Sequence, residues 1–231
     1  MLKLVTFPPA FGAPSASSFG VKALCFLHMA KAEFEVVYGD PRKAPKGKLP
    51  MLLDGDTTIP DTEDIRTYLE QKFDVDFDAG LTPEQRATSR AVIRMCDEHL
   101  YFALVCDRWL NDANWAVVRA QFFGMIPRLV RGVITKKIRQ KARDNVFAQG
   151  MGRHTVEQRF VRADKDIAAI MVLLGDKPFL FGDRPGAADA SAAPVLASFA
   201  GSPTKTLLSE RICSDARLMA YLHRVQAALY P

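Results

Sequence analysis

Long apolar runs are absent from the 231-residue sequence, and no stretch approaches the ~18 apolar residues of a membrane-spanning helix. The apolar stretch near the amino terminus stops at Pro8 and Pro9, which is too short for the hydrophobic region of a signal peptide. With 48% hydrophobic and 25% charged residues, the chain can form one large core or two smaller ones. The sequence therefore predicts a soluble cytoplasmic protein without a membrane span.

Cysteine is scarce, and its spacing excludes two kinds of site. The four cysteines are Cys25, Cys96, Cys106 and Cys213, and no two of them form a C-x-x-C pair. Each lies in an apolar or helical context, so we predict reduced thiols that are mostly packed, with Cys25 in the core. Histidine and cysteine also lack the spacing of zinc ligands, and we predict no metal site.

Recognisable nucleic-acid-binding modules are missing as well, although the net charge is +5. Residues 119–165 contain twelve Lys or Arg against three acidic residues, which places +9 there and −4 in the rest of the chain. Such a surface can attract nucleic acid or anionic lipid. The stretch RLVRGVITKKIRQKAR, however, alternates charged and apolar residues as an amphipathic helix does, so we interpret it as a solvated helix face and expect no nucleic-acid partner.

Periodicity divides the chain into two parts. In residues 1–74, short β-like runs alternate with helical ones, and a hairpin turns across Asp54-Gly55-Asp56, which predicts a small α/β layer domain. Residues 82–231 are helical in pattern: Thr82 and Thr155 open capping boxes that precede apolar stripes. Further helices are predicted to begin near Gly186 and Asp215.

A proline stands at the start of the predicted strand Met51–Leu53, where it cannot donate a ladder hydrogen bond. A cis peptide between Leu49 and Pro50 would turn the backbone groups of Leu49 toward an extended ligand. Asp61 and Thr62 open the next helix, where free N–H groups and a hydroxyl suit a carboxylate and the acid suits an ammonium. Together these features fit a γ-glutamyl tripeptide, whereas plain helix capping accounts for Asp61 and Thr62 alone.

These motifs resemble the thioredoxin-like domain of the glutathione transferase superfamily, and the helical half resembles its partner domain. The stretches EHLYFALVCDRW and AQGMGRHTVEQ are similar to the branch of failed-axon-connections and metaxin-like proteins. The resemblance implies an α/β thioredoxin-like glutathione-binding domain at 1–74, an all-α domain at 82–231 and glutathione as co-substrate. It also implies a homodimer.

The resemblance assigns binding roles to particular residues. Asp61 and Thr62 replace the usual Glu-Ser pair of the family with the same chemistry, and Leu49 with Pro50 forms the edge that pairs with the cysteinyl backbone. Lys48, together with Lys46, is placed to meet the glycine carboxylate of glutathione, or is a solvated loop charge. The family has a buried helix cap of the form Ser/Thr-x-x-Asp in its second domain. Here Asp189 matches the acid of that cap, and Gly186 occupies the position of the hydroxyl residue.

The catalytic position of the resemblance falls on Ser17, at the start of the first helix, where a hydroxyl and the helix dipole stabilise a thiolate. Ser18 stands where the family has proline, so Ser15 and Ser18 are rivals to Ser17. All three serines are equally compatible with simple N-caps. In the family pattern Ser/Cys-Pro-Phe-x-x-Lys/Arg, Phe19 matches the phenylalanine and Lys22 is near the usual basic site.

Two functions follow from the resemblance. The first is a glutathione S-transferase that conjugates glutathione to a small apolar electrophile. The absence of a cysteine at the start of the first helix argues against thiol transfer. The second is a non-catalytic binding or adaptor protein of the same fold, which engages a partner through the basic helical face. Tyr101 and Phe102 lie on the first long helix of the second domain, where we interpret aromatic residues as packing.

Overall fold

The computed structural model describes residues 1–124 and 126–230. Its described strands form a four-stranded sheet of order β2-β1-β3-β4, in which β1 and β2 are parallel and the other pairs antiparallel. The strands are β1 (Leu2–Thr6), β2 (Phe34–Tyr38), β3 (Met51–Asp54) and β4 (Thr57–Pro60). The predicted hairpin is confirmed: Asp54 pairs with Thr57 across a turn in which Gly55 adopts φ +56°, a conformation that favours glycine.

Ten α-helices follow or separate the strands in the described chain. They are α1 (Ser18–Met29), α2 (Thr62–Phe73), α3 (Pro83–Met95), α4 (Tyr101–Val105), α5 (Asp112–Phe123), α6 (Arg128–Gln149), α7 (Val156–Leu174), α8 (Ala187–Ala200), α9 (Leu207–Cys213) and α10 (Ala216–Leu229). Two π-helical turns, Cys96–Leu100 and Cys106–Leu110, continue α3 and α4 into one long rod. Among the described helices, none combines the length and apolar character needed to cross a membrane.

Helix α1 lies between the sheet part and the helical part and packs against α2, α8 and α10. Nine of its twelve residues are buried, because neighbours cover it on several sides. One apolar core runs continuously from Leu4 in the sheet through Phe26 in α1 to Leu196 in α8. The thioredoxin-like plus all-helical architecture is therefore confirmed, and the division at residues 74 and 82 stays a prediction.

The N-terminus of α8 is held by a buried carboxylate. Asp189 is fully buried, and its oxygens accept the N–H of Gly186 at 2.9 Å, the N–H of Leu180 at 3.0 Å and the hydroxyl of Tyr221 at 2.8 Å. Burial raises the pKa of Asp189, and the three donors oppose that shift by stabilising the charged form. The predicted helix start at Gly186 is confirmed.

Glycine occupies the hydroxyl position of this cap because another side chain takes the space. A Cβ on Gly186 would lie 3.3 Å from Oδ1 of Asp78, which itself accepts the N–H of Ala187 at 3.3 Å. Asp78 also accepts a hydrogen bond from Arg66 at 2.9 Å, so it is not left as an unpaired buried charge. The carboxylate of Asp78 thus supplies a side-chain acceptor to the first N–H of α8.

The capping boxes at Thr82 and Thr155 are confirmed, with both reciprocal hydrogen bonds formed at each. Cys25 is fully buried as predicted, whereas Cys213 is exposed. The apolar stripe of α7 begins later than its pattern indicates, because Val156 is 50% exposed while Ala163 and Ile167 are buried. The first turn of α7 therefore extends beyond the core.

We expect Asp189→Ala to lower the free energy of unfolding by at least about 3 kcal/mol, because it leaves three buried donors without an acceptor. Tyr221→Phe removes a single donor and keeps the carboxylate, so its cost should be about 1 kcal/mol. Urea unfolding of both variants measures the difference. Equal losses would mean that Asp189 does not organise the start of α8.

Candidate functional site

A cleft of about 530 Å³ opens where the sheet part meets the long helical rod. Its walls come from the loop after β1, the start of α1, the loop before β3, the start of α2, the end of α3, the first π-helical turn, α4 and α6. Seven sequence-predicted candidates for ligand contact line it: Ser17, Lys46, Lys48, Leu49, Pro50, Asp61 and Thr62. The fold thus gathers residues that are up to 45 positions apart in sequence into one cavity.

Ser17 is the N-cap residue of α1, with extended backbone angles of φ −106° and ψ 126°. Its carbonyl accepts the N–H of Val21 at 3.1 Å, which is the first hydrogen bond of the helix. Its side chain makes no capping hydrogen bond, although serine at this position commonly makes one. The hydroxyl at the cleft is therefore available to a ligand at the positive end of α1.

The rival serines have other environments. Ser15 is 2% exposed, and its Oγ lies 3.0 Å from Oγ1 of Thr6 and accepts the N–H of Ser17 at 3.2 Å. Ser18 is the first residue of α1 and is 6% exposed. Within residues 1–124 and 126–230, the cleft-lining set includes Ser17 but neither rival. The geometry favours Ser17 for contact with a ligand and gives Ser15 a role in shaping the loop.

The peptide between Leu49 and Pro50 is cis, as the sequence predicts. Both residues are buried and line the cleft immediately before β3. Lys48 is exposed on the same segment, while neighbouring Lys46 forms an ion pair with Asp64 at 2.8 Å. This segment offers a backbone edge and a cation on the same side of the cleft.

Asp61 is the N-cap of α2, and its Oδ1 accepts the N–H of Glu63 at 3.1 Å. Its φ of +82° lies in a region that non-glycine residues avoid, at a cost of about 1–3 kcal/mol. Thr62 is 3% exposed and is the first residue of α2. The first N–H groups of a helix have no partner within the helix, and this helix start lies at the cleft. Strained backbone of this kind concentrates at functional sites. Asp61 can therefore both cap α2 and belong to a ligand-binding site.

Aromatic side chains form the apolar wall of the cleft. Phe19 and Tyr101 meet edge to face with ring centroids 4.6 Å apart, and Tyr101 and Phe102 are 5.4 Å apart. Phe7 and Asn145 also line the cleft. Tyr101 and Phe102, interpreted from the sequence as packing residues, also line the cavity.

A buried ion pair lies behind the cleft, and the sequence did not predict it. Lys22 is 1% exposed, and its Nζ is 2.7 Å from Oδ2 of Asp97 and 3.7 Å from Oε1 of Glu63. Burial lowers the pKa of Lys22, and Asp97 acts in the opposite direction. Lys22 thus joins α1, the first turn of α2 and the helical rod, and its amine does not line the cleft.

Arginines complete this charged seam. Arg90 bonds to Glu63, and Arg94 bonds to Glu98 and approaches Asp97 at 3.7 Å. Arg94, Asp97 and Glu98 also line the cleft, so the seam contributes charges to the cavity wall. The i,i+3 and i,i+4 spacing of Arg94 with the two acids is a sequence signal for this cluster.

No cysteine among the described residues supplies a reactive thiolate to this cleft. The described residues that line the cavity include no cysteine. Cys25, on the helix that Ser17 caps, is fully buried, and burial raises its pKa above the ordinary value. Thiol chemistry in the cleft would therefore depend on the thiol of a ligand.

Comparison with known proteins gives consistent matches. The family model of the glutathione S-transferase N-terminal domain matches residues 18–114, and that of the glutathione S-transferase C-terminal domain matches residues 163–225. Isoprene-epoxide–glutathione S-transferase of Rhodococcus sp. (strain AD45) is 34% identical over 98% of this chain and 98% of its own length. Failed axon connections of Drosophila melanogaster is 28% identical over 79% of this chain and 46% of its own length.

The fold has a counterpart among solved structures. The β-etherase LigF of Sphingobium sp. strain SYK-6 superposes with a TM-score of 0.65 at 18% identity. The superposition covers 99% of this chain and 96% of that protein. At this identity the match establishes the fold and leaves the chemistry to the residues of the cleft.

We expect Lys22→Met to lower the free energy of unfolding by about 3–5 kcal/mol, because it leaves the nearly buried Asp97 without its closest cation. Lys46→Met is a matched control, since its ion pair with Asp64 has nearly the same distance but half-exposed partners, and should cost less than about 1 kcal/mol. Lys22→Met combined with Asp97→Leu should lose less than the sum of the single variants in urea unfolding. Additive losses would rule out coupling between the two residues.

Proposed function

The chain belongs to the glutathione S-transferase superfamily, and we propose that it binds glutathione in the cleft and conjugates its thiolate to a small electrophile. The observation that carries this proposal is the convergence of Ser17, Leu49, Asp61 and Thr62 on one cavity. The cavity combines three features: a hydroxyl at one helix start, a backbone edge, and an acid at a second helix start. Together they match the parts of an extended tripeptide.

Each part of glutathione has a proposed partner in the cleft. The γ-glutamyl carboxylate lies at the start of α2 against Thr62, and its ammonium pairs with Asp61. The cysteinyl backbone pairs with the N–H and C=O of Leu49, and the glycine carboxylate approaches Lys48. This arrangement directs the cysteinyl sulfur toward the start of α1, where Ser17 lies.

Ser17 stabilises the thiolate by donating its hydroxyl hydrogen to the sulfur. The partial positive charge at the N-terminus of α1 acts in the same direction. The thiolate sulfur then attacks an electrophilic carbon; with an epoxide, a carbon–sulfur bond forms, a carbon–oxygen bond breaks and the alkoxide takes a proton from water. Catalysis combines thiolate formation with proximity of the two reactants.

The apolar wall points to a small, weakly polar electrophile. Phe7, Phe19, Tyr101 and Phe102 present aromatic surface in a cavity of about 530 Å³, part of which glutathione would occupy. The relative at 34% identity is named for conjugation of an isoprene epoxide, which has this small apolar character. We therefore choose a small aliphatic epoxide as the first test substrate. A cytoplasmic location and a homodimer stay predictions.

We expect Ser17→Ala to reduce kcat/KM for glutathione conjugation to a small epoxide by about 100-fold or more, because a preorganised donor to the developing charge is lost. Ser18→Ala is the matched control, since this serine is buried beside Ser17 outside the cleft-lining set. It should leave kcat/KM within about threefold. Equal effects of the two substitutions would refute the role of Ser17.

Titration calorimetry separates binding from chemistry. Asp61→Asn should weaken glutathione affinity by about tenfold to a hundredfold, because a charge-assisted hydrogen bond to the ammonium is lost. Wild type should release a proton on binding near neutral pH, and Ser17→Ala should shift that release to higher pH. Glutathione binding without proton release would indicate a binding protein rather than a transferase.

A second candidate function rests on helix α6. Within its 22 described residues only Thr135 and Val146 are buried, and seven Lys or Arg stand against the single acid Asp144. Leu129 and Val133 are 97% and 61% exposed beside these cations. A helix so weakly covered suits an anionic binding partner, which supports the alternative of a non-catalytic binding or adaptor protein.

If α6 serves an anionic partner, replacing Lys136 and Lys137 by Glu should reduce retention on an anionic matrix at 0.1 M salt far more than replacing Arg184 and Lys205. Both pairs are removed from the proposed glutathione contacts, and both substitutions change the net charge by the same amount. Heparin chromatography with a salt gradient compares the elution positions. Identical shifts would show that net charge alone, and not α6, determines retention.

A further inference from the structure

Arg108 is a buried arginine of the helical part that reaches across to the loop bearing Ser17. It is 8% exposed and lies in the second π-helical turn of the rod. One guanidinium nitrogen donates to the carbonyl of Ala16 at 2.9 Å, and the other donates to the carbonyl of Ser198 at 3.3 Å. Its guanidinium carbon lies 4.8 Å from the ring centre of Phe11, so the side chain touches the loop at two places.

The charge of Arg108 has little local compensation. Within residues 1–124 and 126–230, no carboxylate lies within ion-pair distance of Arg108, and its Nε has no hydrogen-bond partner. The adjacent acid, Asp107, is hydrogen-bonded to Thr206 at 2.6 Å. The carbonyl end of α8, which includes Ser198, supplies only partial negative charge. Burial accordingly lowers the pKa of Arg108 to about 10, and it stays protonated at neutral pH.

The loop between β1 and α1 is held at the residue directly before Ser17. The N–H of Ala16 donates to the carbonyl of Pro8 at 2.9 Å, while its carbonyl accepts from Arg108. Both backbone groups of Ala16 are therefore bonded, one within the loop and one to the helical part. Since a residue fixed at both groups limits the orientation of its neighbour, the position of Ser17 depends on Arg108.

We propose that Arg108 is a positioning residue for thiolate formation: it fixes the loop that presents Ser17, and behind the start of α1 it adds a positive charge that has no ion-pair partner among the described residues. This inference rests on the proposed function for the thiolate, whereas the loop-holding role stands on the geometry alone. The positive charge of Arg108 stabilises an anion at the N-terminus of α1. A guanidinium bonded only to carbonyl oxygens keeps its charge available to such an anion.

Other titratable groups around this region do not replace Arg108. On its own rod the neighbours are Asp107 and Tyr101, and burial raises the pKa of Tyr101, which stays neutral. The remaining charged groups that face the cleft come from the loop before β3, the start of α2, the end of α3 and the first π-helical turn: Lys46, Lys48, Asp61, Arg94, Asp97 and Glu98. Among these acids, Asp97 pairs with Lys22 and Glu98 pairs with Arg94. Asp61 accepts a backbone N–H at the start of α2. The effect of Arg108 is thus separable by substitution.

Arg139 offers a matched control. Its guanidinium donates to the carbonyls of Trp109 and Leu110 and lies 5.4 Å from the ring centre of Trp115, so it also bonds carbonyl groups over an aromatic ring. In addition it pairs with Asp112 at 2.7 Å and belongs to α6, outside the cleft-lining set. Substitution there tests the loss of a structural arginine without touching the loop before Ser17.

The pH dependence of kcat/KM and of glutathione thiolate absorbance in the bound complex should be measured for wild type, Arg108→Met, Arg108→Lys and Arg139→Met. Arg108→Met should raise the apparent pKa of the bound thiol by about one unit or more and lower kcat/KM at neutral pH about tenfold. Arg108→Lys should recover part of the shift, because it retains the charge but not both carbonyl bonds. At a pH below the pKa of the bound thiol, glutathione affinity should change less than about threefold, since Arg108 is outside the cleft-lining set. At higher pH the affinity should fall in step with the raised thiol pKa, because binding and thiol ionisation are linked.

Hydrogen exchange of the ligand-free protein tests the loop directly. Arg108→Met should accelerate exchange across residues 7–18 while α7 stays protected, and Arg139→Met should not affect this loop. An unchanged thiol pKa, or the same shift in Arg139→Met, would overturn the electrostatic role, and unchanged exchange would overturn the positioning role. A wild-type protein that fails to bind glutathione would reject the proposed function and the electrostatic role together. The exchange result would then decide the positioning role.

Discussion

The enclosure of α1 is the constraint on which the rest of the structure depends. This helix is covered by the sheet part on one side and by α8 and α10 on the other, so one core serves both parts of the chain. Because its body is buried, α1 reaches the surface at its two ends: His28 is exposed near the C-terminus, and the cleft forms at the N-terminus. Any ligand at this site meets Ser17 and the positive end of the helix dipole together.

The same enclosure brings cations into the interface, and their partners differ. Lys22 is paired with Asp97 and approaches Glu63, so its charge is largely compensated inside the protein. Arg108 instead bonds to backbone carbonyls and has no carboxylate partner among the described residues. A paired cation stabilises the junction of helices, whereas an unpaired one leaves electrostatic potential for a bound anion. The two cations therefore have different relations to the cleft.

Much of the fold and part of the candidate site could be predicted from local sequence. The capping boxes at Thr82 and Thr155, the hairpin at Gly55 and the cis peptide before Pro50 are short-range features whose chemistry is contained in a few neighbouring residues. The limits of the α7 stripe and the lining role of Tyr101 could not be read in this way, because they depend on which neighbour covers each side chain.

The sequence by itself determined the element order, the helix starts and the residue types suited to a tripeptide, since hydrogen-bonding and periodicity rules act within a few residues of the chain. Only the tertiary structure showed that Ser17 lines the cleft while Ser15 is buried against Thr6, because both are hydroxyls near one helix start and differ in what surrounds them. Only the tertiary structure placed Arg108 against Ala16, a contact across 92 residues. Contacts of that range depend on how whole helices pack, which no local pattern in one sequence specifies.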